Sequence, residues 1–194
     1  VGALPVLVAM LRWLRVQEII DQYCPTRSPV KHGIVVLVLV LNRLMATSPL
    51  YKIVDWLAMS QLTQYLDIPA DKFNDDQLGR TLDAIAQHLP GIWADIQKQV
   101  FLHYKIDLSV LFYDLTALVM SGQYANSELV GYGFAHNTPM SDPKVKLGLV
   151  ASYDGSMPVL FQPRPGPTAD KATVKSNLQA LRRFLRQNGW HLSQ

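Results

Sequence analysis

Residues 107–124 read Asp-Leu-Ser-Val-Leu-Phe-Tyr-Asp-Leu-Thr-Ala-Leu-Val-Met-Ser-Gly-Gln-Tyr. Ser109 to Tyr113 is an apolar run with β-branched and aromatic residues, the composition of a buried strand. Asp114 closes that run. A carboxylate at the end of a core strand is costly to bury unless it is hydrogen-bonded, paired or holding a metal. Two readings stand side by side: a functional carboxylate, or an aspartate that caps a turn.

Upstream of this stretch, residues 4–104 carry helical periodicity. Leu4, Leu7, Val8, Leu11 and Leu14 share one face. Pro25 and Pro29 bracket a loop. Val30 to Met45 is apolar almost all round, which predicts a central helix. Pro49 marks another helix start, with Leu50, Ile53, Val54 and Leu57 at helical spacing. Asn74 is placed to cap a further helix, with Gln77 completing a capping box and Phe73 stapling onto Leu78. Leu78, Leu82, Ile85 and Leu89 form its apolar stripe. Pro90 opens or closes a boundary before Ile92, Ile96, Val100 and Tyr104.

Downstream, the period changes. Residues 115–143 are rich in Gly, Ser, Asn and Pro and read as a long irregular connection, of the kind that is usually functional or mobile. Lys144 to Tyr153 alternates as a second strand. Asp154-Gly155 predicts a hairpin turn into a third strand, Met157 to Gln162. Pro163, Pro165 and Pro167 are expected to end ladder pairing. Asp170 is expected to cap a last helix that Gly189 stops.

Composition sets the limits. The chain has 194 residues, 49% of them hydrophobic, enough for one large or two small cores. Its net charge of +3 is mildly basic and compatible with nucleic acid. Cys24 is the single cysteine, so no intrachain disulfide can form and a reducing compartment fits. The longest apolar run, Ile34 to Leu41, is far shorter than the roughly 20 residues a membrane span needs. No export signal is read at the start. Val1 is not a natural start, so a piece of a longer protein is expected.

The string Phe112-Tyr113-Asp114-Leu115-Thr116, followed by Ser121-Gly122 and Tyr124, resembles the first catalytic block of DDE-type insertion-sequence transposases. Gly131-Tyr132-Gly133, Asp142-Pro143-Lys144, Leu147-Gly148-Leu149, Asp154-Gly155, Gly166 and Asp170 follow in that family's order. Residues 73–83 resemble its helical N-terminal region. The resemblance implies an α+β chain: an all-helical domain over residues 1–106, for DNA binding or dimerisation, then the first half of a ribonuclease-H-like mixed sheet over 107–194. It implies DNA strand cutting and joining at insertion-sequence ends with Mg2+ or Mn2+, held by three carboxylates. Asp114 matches the first. The second would follow a strand beginning near Trp190 to Gln194, and the third lies further on. The chain is therefore expected to be an N-terminal part, inactive alone, of a cytoplasmic, nucleoid-associated protein. Its implied partners are transposon ends, target DNA and a second copy, and no membrane.

Other chemistry finds little support. Asp107 lies seven residues before Asp114, an extended distance of over about 20 Å, too far to share an ion. Asp142, Asp154 and Asp170 each have a structural role available. The five histidines show no paired ligand spacing, which argues against zinc. There is no Gly-x-Ser-x-Gly elbow, phosphate loop or dinucleotide-binding glycine pattern.

The last helix carries Val174, Leu178, Leu181 and Leu185 on one stripe and Lys171, Lys175, Arg182 and Arg186 on the next. Such a basic stripe suits phosphate contacts, or is simply a solvated face. Lys144, Lys146 and Arg164, around the second and third strands, are further candidates for the DNA backbone. The rival reading is a non-catalytic remnant that binds DNA or a partner; a hydrolytic nuclease of the same fold is another.

Overall fold

The computed structural model describes residues 2–190 except 125 and 137, and of Asp170 only the backbone. The chain is α+β and divides into two compact units, Val1–His103 and Tyr104–Gln194.

The first unit is helical. Its helices are α1 (Leu4–Trp13), α2 (Val16–Tyr23), α3 (His32–Met45), α4 (Ile53–Met59), α5 (Leu62–Leu66), α6 (Asp75–Ala86) and α7 (Leu89–Tyr104). The apolar α3 is central: Val35, Leu37, Val38 and Leu41 are buried, with Val8, Ile53, Leu57, Leu62, Phe73 and Leu78 in the same cluster. Asn74 caps α6, its Oδ1 accepting from the Gln77 amide at 2.9 Å. Phe73 and Leu78 are both fully buried, as a staple requires. The Gln77 side chain instead turns inward, donating to the Val30 carbonyl at 3.5 Å. No single helix among the described residues is long and apolar enough to cross a membrane.

The second unit contains β1 (Leu111–Val119), β2 (Lys144–Ser152), β3 (Pro158–Pro165) and α8 (Asp170–Gln187). The sheet order is β1-β2-β3, and both pairings are antiparallel. The expected mixed sheet is not seen among the described residues. A parallel pair needs a crossover connection, and β1–β2 and β2–β3 are joined instead by a loop and a tight turn.

Three boundaries differ from the sequence expectation. The first strand does not stop at Asp114; it continues to Val119, pairing Asp114 with Leu149 and Thr116 with Leu147. Leu115 and Ala117 sustain the alternation past the carboxylate, whose side chain points off the sheet and so does not end pairing. The irregular connection shrinks to 120–143. The third strand runs through Pro163 and Pro165, which pair with Leu147 and Val145. As β3 is an edge strand, a missing N–H there can face solvent. The 154–156 turn is a single 3-10 turn, with Gly155 at φ 66°.

The α8 N-cap position falls to Ala169. The expected Asp170 side-chain cap lies outside the described residues, as do residues 191–194 of the stretch, Trp190 to Gln194, in which a further strand is expected to begin. Trp190 itself folds back on α8, its amide donating to the Leu185 carbonyl at 2.9 Å.

Candidate active site

The two faces of the sheet differ in cover. Tyr113 and Leu115 share a face with Val150, Gly148, Lys146 and Lys144, and α8 serves that side: the Tyr113 hydroxyl and Thr173 Oγ1 are 2.7 Å apart. Phe112, Asp114, Thr116 and Leu118 lie on the other face and are exposed.

The edge of β1 is the second feature of the site. The Tyr153 amide donates to Val110 and the Met120 amide to Pro143, so even-numbered residues of β1 direct their backbone groups toward β2. Odd-numbered residues then face the free edge. There the Leu115 N–H donates to Asp114 Oδ1 at 2.8 Å. The carboxylate thus leans over the edge and satisfies one of its amides.

The sequence predicts Asp114 at the carboxyl end of a central strand. It lies mid-strand, and among the described residues β1 is an edge. A concavity of about 400 Å³ opens at this edge. Asp114, Thr116, Phe134, His136 and Lys146 line it. Its far wall, around residues 133–136, belongs to the β1–β2 connection.

That wall is built on a buried lysine. Lys144 is fully buried, and its Nζ donates to Gly133 O at 3.0 Å, Thr138 Oγ1 at 3.1 Å and Pro139 O at 2.7 Å. Gly131 and Lys144 exchange backbone hydrogen bonds of 3.0 Å in both directions. The loop is closed on both sides of its tip by one residue of β2.

The cations proposed from sequence for DNA therefore separate into two groups. Lys144 is withdrawn from the surface. Lys146 is 5% exposed and donates to the Thr168 carbonyl at 2.6 Å. Arg164 donates to Gln162 at 2.6 Å and Ser176 at 3.2 Å, beneath α8. These three are corrected from surface contacts to internal ties: alternation places them on the covered face of the sheet, where the loop and α8 supply acceptors. Lys171, Lys175, Arg182 and Arg186 are exposed on α8. The helix buries Thr173, Asn177, Leu181, Phe184 and Leu185. Val174 and Leu178, read on one stripe with Leu181 and Leu185, are 55% and 44% exposed.

Asp114 fits a hard divalent cation as one oxygen ligand. It does not suffice for a pair of ions, and among the described residues no three of His, Cys, Asp and Glu converge. Asp107 binds Ser109 through both its oxygens, at 2.8 Å to the amide and 2.8 Å to the hydroxyl. These bonds hold its carboxyl below the ordinary value.

Residues 1–96 match a domain of unknown function, DUF4277. The DUF4277 match covers α1 to α6 and part of α7 and ends before the sheet that carries Asp114. No curated protein and no solved structure matches the chain.

Sequence reasoning missed Phe134 and His136 as site residues. Their signal was present: in Gly131-Tyr132-Gly133-Phe134-Ala135-His136 small residues alternate with rings. A loop read only for its glycines hides that alternation.

Proposed function

We propose that this chain carries the helical region and the first part of the ribonuclease-H-like catalytic core of a DDE-type insertion-sequence transposase. One observation carries the reading. Asp114, the residue that matches the family's first catalytic carboxylate, is exposed on the first strand of a β-β-β-α unit and lines a polar concavity. The order of the remaining motifs supports it, as do the exposed cations of α8.

In this reading Asp114 presents a carboxylate oxygen to Mg2+ or Mn2+. Such ions activate an attacking oxygen and stabilise a leaving one in phosphoryl transfer. Lys171, Lys175, Arg182 and Arg186 hold the phosphate backbone, positioning DNA without reading its sequence. The helical unit binds transposon ends or a second copy of the protein, and the protein works in the cytoplasm on the nucleoid.

A second reading, a non-catalytic DNA-binding or partner-binding remnant, is favoured by the solitary carboxylate in the concavity. A mobilisation assay separates the two. A marker flanked by the element's ends is supplied with the protein made from its complete reading frame. The transposase reading expects marker transfer to new sites; no transfer above the empty-vector background contradicts it and leaves the remnant.

A further inference from the structure

The loop that walls the concavity has a regular construction. Over residues 131–136 partial burial alternates strictly with exposure: Gly131, Gly133 and Ala135 are half-buried, and Tyr132, Phe134 and His136 are exposed. The glycines are small for a reason. A Cβ at Gly133 would lie 2.6 Å from Pro167 Cα, and one at Gly131 would lie 2.9 Å from Pro167 Cδ. One side of the segment is pressed on the 166–167 turn, so all three rings are directed outward.

These rings are bare. Tyr132 is 65% and Phe134 69% exposed, on a loop that Lys144 holds at three acceptors. Large aromatic side chains held bare together on a braced loop are the composition of a contact surface. From the geometry we propose that Tyr132, Phe134 and His136 form a stacking platform for the bases of an unpaired DNA strand beside Asp114.

Three observations select that occupant. First, the Phe134 and His136 centroids are 6.2 Å apart at an interplanar angle of 61°. This is an edge-to-face aromatic pair whose two ring faces are inclined to one another. The rings cannot match stacked neighbours; they suit bases drawn apart. Second, Phe134 and His136 line the same concavity as Asp114, so a base held on them brings its phosphate to the carboxylate's side. Third, the turn against which the row packs leads into α8, where Lys171 and Lys175 are exposed. Rings beside cations are the composition of a single-strand track, in which aromatic faces take bases of any sequence. The DNA assignment rests on the proposed transposase reading; the platform geometry does not.

The test measures binding of a fluorescent single-stranded oligonucleotide and its duplex to the whole chain at low salt. Wild type, Phe134→Ala, His136→Ala and Phe134→Trp are compared, with thermal unfolding run on each. Phe134→Ala is expected to weaken single-strand binding by roughly 5- to 100-fold, with duplex binding changed less than about twofold. His136→Ala is expected to move the same way, and Phe134→Trp, which keeps a ring, to bind as wild type. A 2-aminopurine in the strand should be quenched by wild type and released by Phe134→Ala. Equal single-strand binding by wild type and both alanine variants overturns the platform while leaving DNA binding by the transposase reading intact. Binding of neither DNA form by wild type overturns both. Loss of self-association in Phe134→Ala, with DNA binding unchanged, assigns the rings to a protein contact and also overturns the proposal.

Discussion

The buried ammonium of Lys144 and the carbonyl oxygen of Pro139 are 2.7 Å apart within the second unit. The same ammonium holds Gly133 and Thr138, so one side chain fixes the loop that faces Asp114. Lys144→Met keeps most of the volume but leaves these acceptors unpaired. The expected cost is about 3 kcal/mol in denaturant unfolding, from partly buried acceptors at about 1–3 kcal/mol each. A cost below about 0.5 kcal/mol would mean that the loop does not depend on the lysine.

Two glycines should respond in opposite directions to alanine. Gly133→Ala drives a Cβ into the backbone of Gly166 and Pro167 and should cost roughly 1–3 kcal/mol. Gly79 lies within α6, and a Cβ there would meet no atom within 4 Å. Gly79→Ala should therefore stabilise by roughly 0.5–1 kcal/mol through helix propensity. Thermal unfolding of both variants checks the pair.

The helical unit carries a pH-dependent contact. Tyr23 Oη donates to Asp95 Oδ2 at 2.8 Å, and Lys98 Nζ lies 2.8 Å from Asp95 Oδ1. Burial pushes the Asp95 carboxyl up, but the hydrogen bonds from Lys98 and Tyr23 and the lysine charge outweigh it, and the net shift is downward. The folded state favours the ionised carboxylate. This contribution is present above the unfolded carboxylate value of about 3.9 and lost as pH falls through the lower folded value. Tyr23 is shifted up, first by its hydrogen bond to Asp95. Its contribution is lost instead as pH rises through the folded tyrosine value. Asp95→Asn should flatten the acid side of the stability profile. It should cost only about 1 kcal/mol at neutral pH, since the Asp95 and Lys98 side chains are 31% and 43% exposed. Urea midpoints across the acid range give the measurement.

Much of the architecture was legible because it rests on local rules. The largely apolar α3, the Asn74 cap and the span of β2 appear in the structure from residue order alone, although the buried face of β2 is the one with Lys144, Lys146, Gly148, Val150 and Ser152. The failures on α8 and at the cations share one cause: polar side chains that pack inside. In α8 the face toward the sheet passes through Thr173, Ser176 and the buried Asn177; the hydroxyl of Tyr113 meets Thr173 and the guanidinium of Arg164 meets Ser176. A reading by apolar spacing chose Val174 and Leu178 instead. Lys144, Lys146 and Arg164 looked like surface cations, because the alternation of β2 and β3 does not show the acceptors that the β1–β2 loop, the turn before α8 and α8 itself bring to them. Asp114 looked like a strand end because a charge interrupted an apolar run, although the alternation carried on beyond it.

Lys171, Lys175, Arg182 and Arg186 remain for the proposed DNA contact. If all four meet phosphates, the slope of log K against log salt should be roughly −3 to −4 for duplex DNA. Lys175→Ala or Arg182→Ala should each reduce its magnitude by about 1. A slope near zero would return the stripe to a solvated face.

Strand cleavage is the most direct test of the central claim. The protein from its complete reading frame, with and without Asp114→Asn, is incubated with manganese and DNA carrying the element's ends, and nicked and joined products are counted. The account predicts cleavage and joining by wild type and background levels from Asp114→Asn, with DNA binding retained by both. Equal product from the two proteins, or none from wild type, would contradict it.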